Sequence, residues 1–90
     1  MLSVYKYTIP TDEDYFSFGL PKGAKILTVR EQHGKLQLWA LVKQGEPDET
    51  RNFRLAGTGH PIKESPETLN YIGTFQLEGG SIIGHIFEIK

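Results

Sequence analysis

Residues 24–43, AKILTVREQHGKLQLWALVK, consist of two alternating runs on either side of His33-Gly34. In KLQLWALVK, residues Leu36, Leu38, Ala40 and Val42 share one parity, while Trp39 and Leu41 share the other. Period-2 alternation of this kind marks a strand rather than a helix. Glycine tolerates positive φ, so a two-residue link such as His33-Gly34 closes a tight antiparallel hairpin. The hairpin sets the style of the whole chain.

The same pattern extends in both directions. Tyr5, Tyr7 and Ile9 share a parity before Pro10, and TDEDY (11–15) follows as an acidic loop. Phe16, Phe18 and Leu20 alternate up to the turn signal Pro21-Lys22-Gly23. QGEPDE (44–49) is a polar loop, after which TRNFRLAG (50–57) places Phe53 and Leu55 on one face and Arg54 on the other. Ser65-Pro66-Glu67 has the form of a helical start, with serine as cap and proline at the first position. NYIGTFQLE (70–78) and SIIGHIFEIK (81–90) flank Gly79-Gly80, a second hairpin signal. The expected architecture is all-β. It is a small antiparallel sandwich or partly open barrel of about seven short strands, with one helical turn near residues 65–69.

Ninety residues make one domain, 1–90, with a thin core. There is no cysteine, which fits a reducing compartment. No apolar run approaches the ~18 residues of a membrane span, and the start lacks a signal-peptide pattern, so the cytoplasm is the expected location. Ten Lys/Arg oppose eleven Asp/Glu for a net charge of −1. Neither a membrane nor a nucleic-acid polymer is therefore an expected partner. Residues 1–45 carry six basic and four acidic side chains, and residues 46–90 four and seven, a mild asymmetry.

The candidate site is FRLAGTGHPI, residues 53–62. Gly57 and Gly59 would let successive backbone N–H groups converge on an anion, with Thr58 and His60 adding side-chain donors. Arg51 or Arg54 would supply a charge-assisted clamp of the kind phosphate favours. Trp39 or Tyr71 would stack a base. The alternative is a plain strand end, with glycine for the bend and Pro61 holding His60 extended. The phosphate-loop motif is absent, since no Lys-Ser or Lys-Thr follows. His33, His60 and His85 share no metal-ligand spacing, and a half-buried, hydrogen-bonded role suits His85. Asp12, Glu13 and Asp14 read as a solvated turn. Ser3, Ser17, Ser65 and Ser81 carry no nucleophile-elbow motif. No catalytic residue, cofactor or metal is expected.

VYKYTIP, LPKGAKILTV, LQLWALV, FRLAGTGHPI and YIGTFQLEGG together resemble a family of small proteins of unknown function from tailed phages and prophages. The resemblance covers nearly the whole chain and implies an accessory protein made inside an infected bacterium. It assigns no site residues. By analogy with other small phage β-domains, it implies a non-enzymatic binding protein that antagonises host defence by sequestering a small phosphorylated ligand, such as a nucleotide immune signal. The alternatives are an inhibitor or adaptor acting on a host defence or replication enzyme, and a minor virion or assembly component.

Two segments are apolar on both parities: LQLWALV, and SIIGHIFEI, where Ile82 and Ile86 oppose Ile83, Phe87 and Ile89. A solvated antiparallel sheet needs only one apolar face, so a homo-oligomer, most simply a dimer, is expected to cover the second.

Overall fold

The computed structural model describes all 90 residues. Seven strands run in the order β1 (Leu2–Thr8), β2 (Tyr15–Pro21), β3 (Lys25–Gln32), β4 (Lys35–Lys43), β5 (Asp48–Gly57), β6 (Leu69–Leu77) and β7 (Ile82–Ile89). They form two antiparallel sheets. Sheet A has the order β1-β4-β3, and sheet B the order β2-β5-β7-β6. The seven-strand sandwich expected from the alternation is what the chain forms. β3 and β6 approach each other along one side without pairing, so the sandwich stays open and does not close into a barrel.

The first hairpin is as read. Gln32 pairs with Lys35, and the two residues between them have φ of 53° at His33 and 80° at Gly34, the signature of a type I′ turn. Gly34 N–H donates to Glu31 Oε1 at 2.6 Å. The second hairpin joins β6 to β7 as expected, but its loop is longer than Gly79-Gly80. Leu77 pairs with Ile82, and a 3-10 turn at Glu78–Gly80 fills the gap. Glu78, Gly79 and Gly80 all have positive φ there. The helical turn near 65–69 is a 3-10 turn, Pro66–Thr68. Ser65 holds it through its carbonyl, which accepts from Thr68 N–H and Oγ1, rather than through its hydroxyl.

The core fills the space between the inner faces. Leu36, Leu38, Ala40 and Val42 of β4 meet Phe16 and Leu20 of β2, Phe53 of β5 and Ile86 of β7, and all are buried. Phe16 and Phe53 stack at 5.1 Å between centroids, with Phe18 against both rings. Such pairs add ~0.5–1.5 kcal/mol each to the burial itself. Two glycines allow close approach: a Cβ at Gly73 would fall 2.9 Å from Val29 Cγ2, and one at Gly84 would fall 2.5 Å from the Phe75 ring.

One detail of topology governs the site. β5 and β6 are consecutive in sequence, yet β7 lies between them in sheet B. The link from Gly57 to Leu69 must therefore step around the place that β7 fills. No helix is long and apolar enough to cross a membrane.

Candidate functional site

The Gly57–His60 segment is a β-turn. His60 N–H donates to Gly57 O at 3.1 Å, and Gly59 takes φ of 84°, the position where such a turn requires glycine. Thr58 N–H donates to Ile83 O at 3.4 Å, which ties the turn to β7. The His60 ring stands over Gly57, where a Cβ would be only 2.8 Å from it. The N–H groups of Thr58 and His60 are thus directed at carbonyls of the chain rather than gathered toward an anion. The local rule that places the glycines is the bend.

Arg54 differs from its expected exposed position. It is only 6% exposed, although it lies on the face of β5 opposite Phe53. The reason is the link after β5, which folds back over that face. Arg54 Nη2 donates to Pro61 O at 2.9 Å, and Nη1 donates to Leu55 O at 2.6 Å and Asp14 O at 3.4 Å. Its guanidinium also lies 5.0 Å from the Tyr15 ring centroid. Glu64 completes the clasp: its Oε2 accepts from the Tyr15 hydroxyl at 2.7 Å, and its Oε1 lies 3.6 Å from Arg54 Nε. That Tyr15 hydrogen bond, with Arg54 and Lys63 nearby, holds the Glu64 carboxyl below its ordinary pKa against the opposing effect of burial.

Arg51 is engaged elsewhere. Its Nε and Nη2 grip both oxygens of Glu88 on β7, and its Nη1 donates to Ala24 O at 2.8 Å. The Glu88 hydrogen bond holds the guanidinium pKa above its ordinary value. This tie links β5 and β7 of sheet B to the chain just ahead of β3.

The remaining candidates separate. Tyr71 lies on the outer face of sheet B, opposite Phe87 in register and 5.7 Å from it between ring centroids. It shares a chain of hydrogen bonds with Thr58: Tyr71 Oη to Thr74 Oγ1 (2.6 Å), Thr74 to His85 Nδ1 (2.9 Å), and His85 Nε2 to Thr58 Oγ1 (2.8 Å). His85 is accordingly half-buried and hydrogen-bonded. Trp39 is on the other side of the molecule, on the outer face of sheet A. The eight candidates therefore do not form one site. Arg51, Arg54 and the 57–60 turn organise sheet B, and Trp39 stands apart.

A cleft of about 530 Å³ does border the turn. Its walls include Gly57, Thr58 and His60, but also Asp12, Glu13 and Asp14. Three carboxylates beside one histidine give it an acidic rim, which opposes a phosphate.

The outer face of sheet A is the opposite case. Register places Lys6 on β1, Lys35 and Lys43 on β4, and Lys25 and Arg30 on β3 on the same face as Trp39. Half of the ten cations are there, and none of the eleven carboxylates is. All five are exposed, and none takes part in an ion pair. Trp39 and Leu41 lie half-buried at the centre, flanked by exposed Leu2, Val4 and Leu27. Lys6 Nζ reaches past the central strand to donate to Gln32 Oε1 on β3 at 3.0 Å, and Thr8 Oγ1 donates to Gln37 Oε1 at 2.9 Å. The net charge of −1 conceals this segregation. The excess of cations in residues 1–45 is the sequence signal for it, and strand parity alone would set Lys25 and Arg30 on opposite faces.

No curated protein and no solved structure matches the chain. The family model described as a domain of unknown function, DUF7352, matches residues 1–90, and the chain belongs to that family.

Proposed function

We propose that this protein is a non-enzymatic binding module that takes a phosphate-bearing ligand on the outer face of sheet A. One observation supports the reading most: Trp39 is set among five unpaired cations on a face without a carboxylate. Cations gathered on one surface attract anions far more strongly than the average charge implies, and an aromatic between them offers a base a stacking surface. The ligand class is the one expected from the sequence. The site moves, because Arg51 and Arg54 are held by internal partners and the turn at 57–60 borders an acidic cleft.

In the phage setting that the resemblance implies, binding alone would be the activity: a sequestered nucleotide signal, or a masked host component. The exposed apolar side chains of Leu2, Val4 and Leu27 support a second reading, an acidic host protein docked on the same face. A homo-oligomer would be joined through sheet B, where Tyr71 and Ile83 are exposed, since five like charges oppose self-association through sheet A.

A thermal-shift panel of mono-, di- and cyclic nucleotides and short oligonucleotides tests the proposal. A ligand at 100 times its Kd stabilises by about 2.7 kcal/mol. The panel is expected to contain at least one stabilising compound whose effect disappears in the Lys6→Glu/Arg30→Glu variant. Shifts of equal size in that variant would refute the location, and no shift from any phosphate compound would refute the ligand class.

A further inference from the structure

Resting on the reading of sheet A as a phosphate-binding face, we infer that its ligand is a single-stranded nucleic acid rather than a free nucleotide. The first reason is shape. Four clefts indent the molecule, and Trp39 borders none of them. Small ligands are held in concave sites that cover most of their surface. A single strand is held on an open platform, by stacking of bases on aromatics and by cations that follow its backbone.

The second reason is the spread of charge. Lys35 and Lys43 stand at opposite ends of β4, eight residues apart, which is ~27 Å at the rise of a strand. Lys6 lies beside Trp39 in register on one edge strand, and Lys25 and Arg30 lie on the other. One nucleotide would meet one or two of these cations and leave the rest in mutual repulsion. A strand of several nucleotides passing over Trp39 meets them in succession.

The third reason lies in the groups around the ring. Thr28 sits beside Trp39 in register, and Thr8 and Gln32 lie further along the same face, while Gln37 there is buried and accepts from Thr8. Amides and hydroxyls around an aromatic suit the edges of unpaired bases. A duplex keeps its bases stacked away from Trp39, and this flat face offers no projecting helix or ribbon to enter a groove. An anionic lipid surface would share the charge. Trp39 and Leu41, however, lie half-buried in the central strand rather than projecting from a loop into a bilayer.

Trp39 is the only tryptophan, so its fluorescence reports on the site directly. The experiment is a titration of the full chain with an oligothymidylate of roughly 12 nucleotides, a length within single-strand site sizes, in low salt. AMP and phosphatidylserine vesicles are the comparison ligands. The oligonucleotide should quench Trp39 to saturation, bind at least ~10-fold more tightly than AMP, and weaken with salt at a log–log slope of about −2 to −3.5, as for three to five neutralised phosphates. Lys6→Glu/Arg30→Glu should weaken binding more than ~10-fold and flatten the slope, while Lys63→Glu, beside Tyr15 on sheet B, should leave both unchanged. These are exposed side chains, so the comparison does not depend on a fragile core variant. AMP binding as tightly as the oligonucleotide would overturn the polymer inference and leave the phosphate face standing. A response to vesicles without one to the oligonucleotide would overturn it in favour of a membrane. Silence from all three would overturn both readings.

Discussion

Arg54 Nε and Glu64 Oε1 face each other at 3.6 Å, both buried and both without a hydrogen-bond partner. The pair is the centre of a clasp. Arg54 holds the carbonyls of Leu55 and Pro61, and Glu64 holds the Tyr15 hydroxyl, so the link leaving β5 is fastened across the strand it has just left. The topology demands a link that steps around β7, and these two charges fix its course.

Arg54 is buried and donates to three backbone carbonyls, and leaving buried acceptors without a donor costs about 1–3 kcal/mol. Arg54→Ala is therefore expected to lower the urea-unfolding free energy by about that amount, whatever the protein binds. A loss below about 1 kcal/mol would show that the link does not depend on Arg54.

Glu64 gives the clasp a pH dependence. Its folded pKa is depressed, first by the Tyr15 hydrogen bond, so its stabilising share is present above the unfolded value of about 4.3 and is lost as pH falls through the lower folded value. The difference in Tm between the parent and Glu64→Gln should stay level from about pH 7 to 5 and shrink below about pH 4. A difference that begins to shrink near neutrality would assign the effect to another group.

Arg51 and Glu88 are expected to be coupled. Both side chains are largely shielded, at 18% and 15% exposure, and the contact is two-pronged. A double-mutant cycle of Arg51→Ala and Glu88→Ala should give a coupling energy of about 1–3 kcal/mol. Additive single effects would mean that the pair only coexists.

At Gly84, a methyl group would lie 2.5 Å from the Phe75 ring. Gly84→Ala should destabilise by about 1–3 kcal/mol through overpacking, while Gly84→Ala combined with Phe75→Leu should recover part of that loss. No recovery would place the strain in the backbone instead.

The sequence shows most of the strands because alternation in segments such as KLQLWALVK directly encodes the two faces. The His33-Gly34 hairpin was legible for the same reason: its turn chemistry and the flanking periods agree. Arg54 was not legible, since its parity indicates the outer face and only the later course of residues 60–64 covers it. The cationic face was hidden by a β-bulge. Ile26 pairs with Ala40 and Thr28 with Trp39, so Leu27 is an extra residue that shifts parity within β3. Counted along the sequence, Lys25 and Arg30 point to opposite faces; after the bulge they share one. A single added residue conceals from sequence what the register brings together.

Amide chemical-shift mapping measures directly which face meets the ligand. On adding the oligothymidylate to isotopically labelled protein, the largest shifts should fall on Lys6, Thr28, Arg30, Gln37, Trp39 and Lys43, with the Trp39 indole N–H among them. Shifts confined to residues 57–60, to the acidic 11–14 loop or to the Tyr71–His85 face of sheet B would contradict the account.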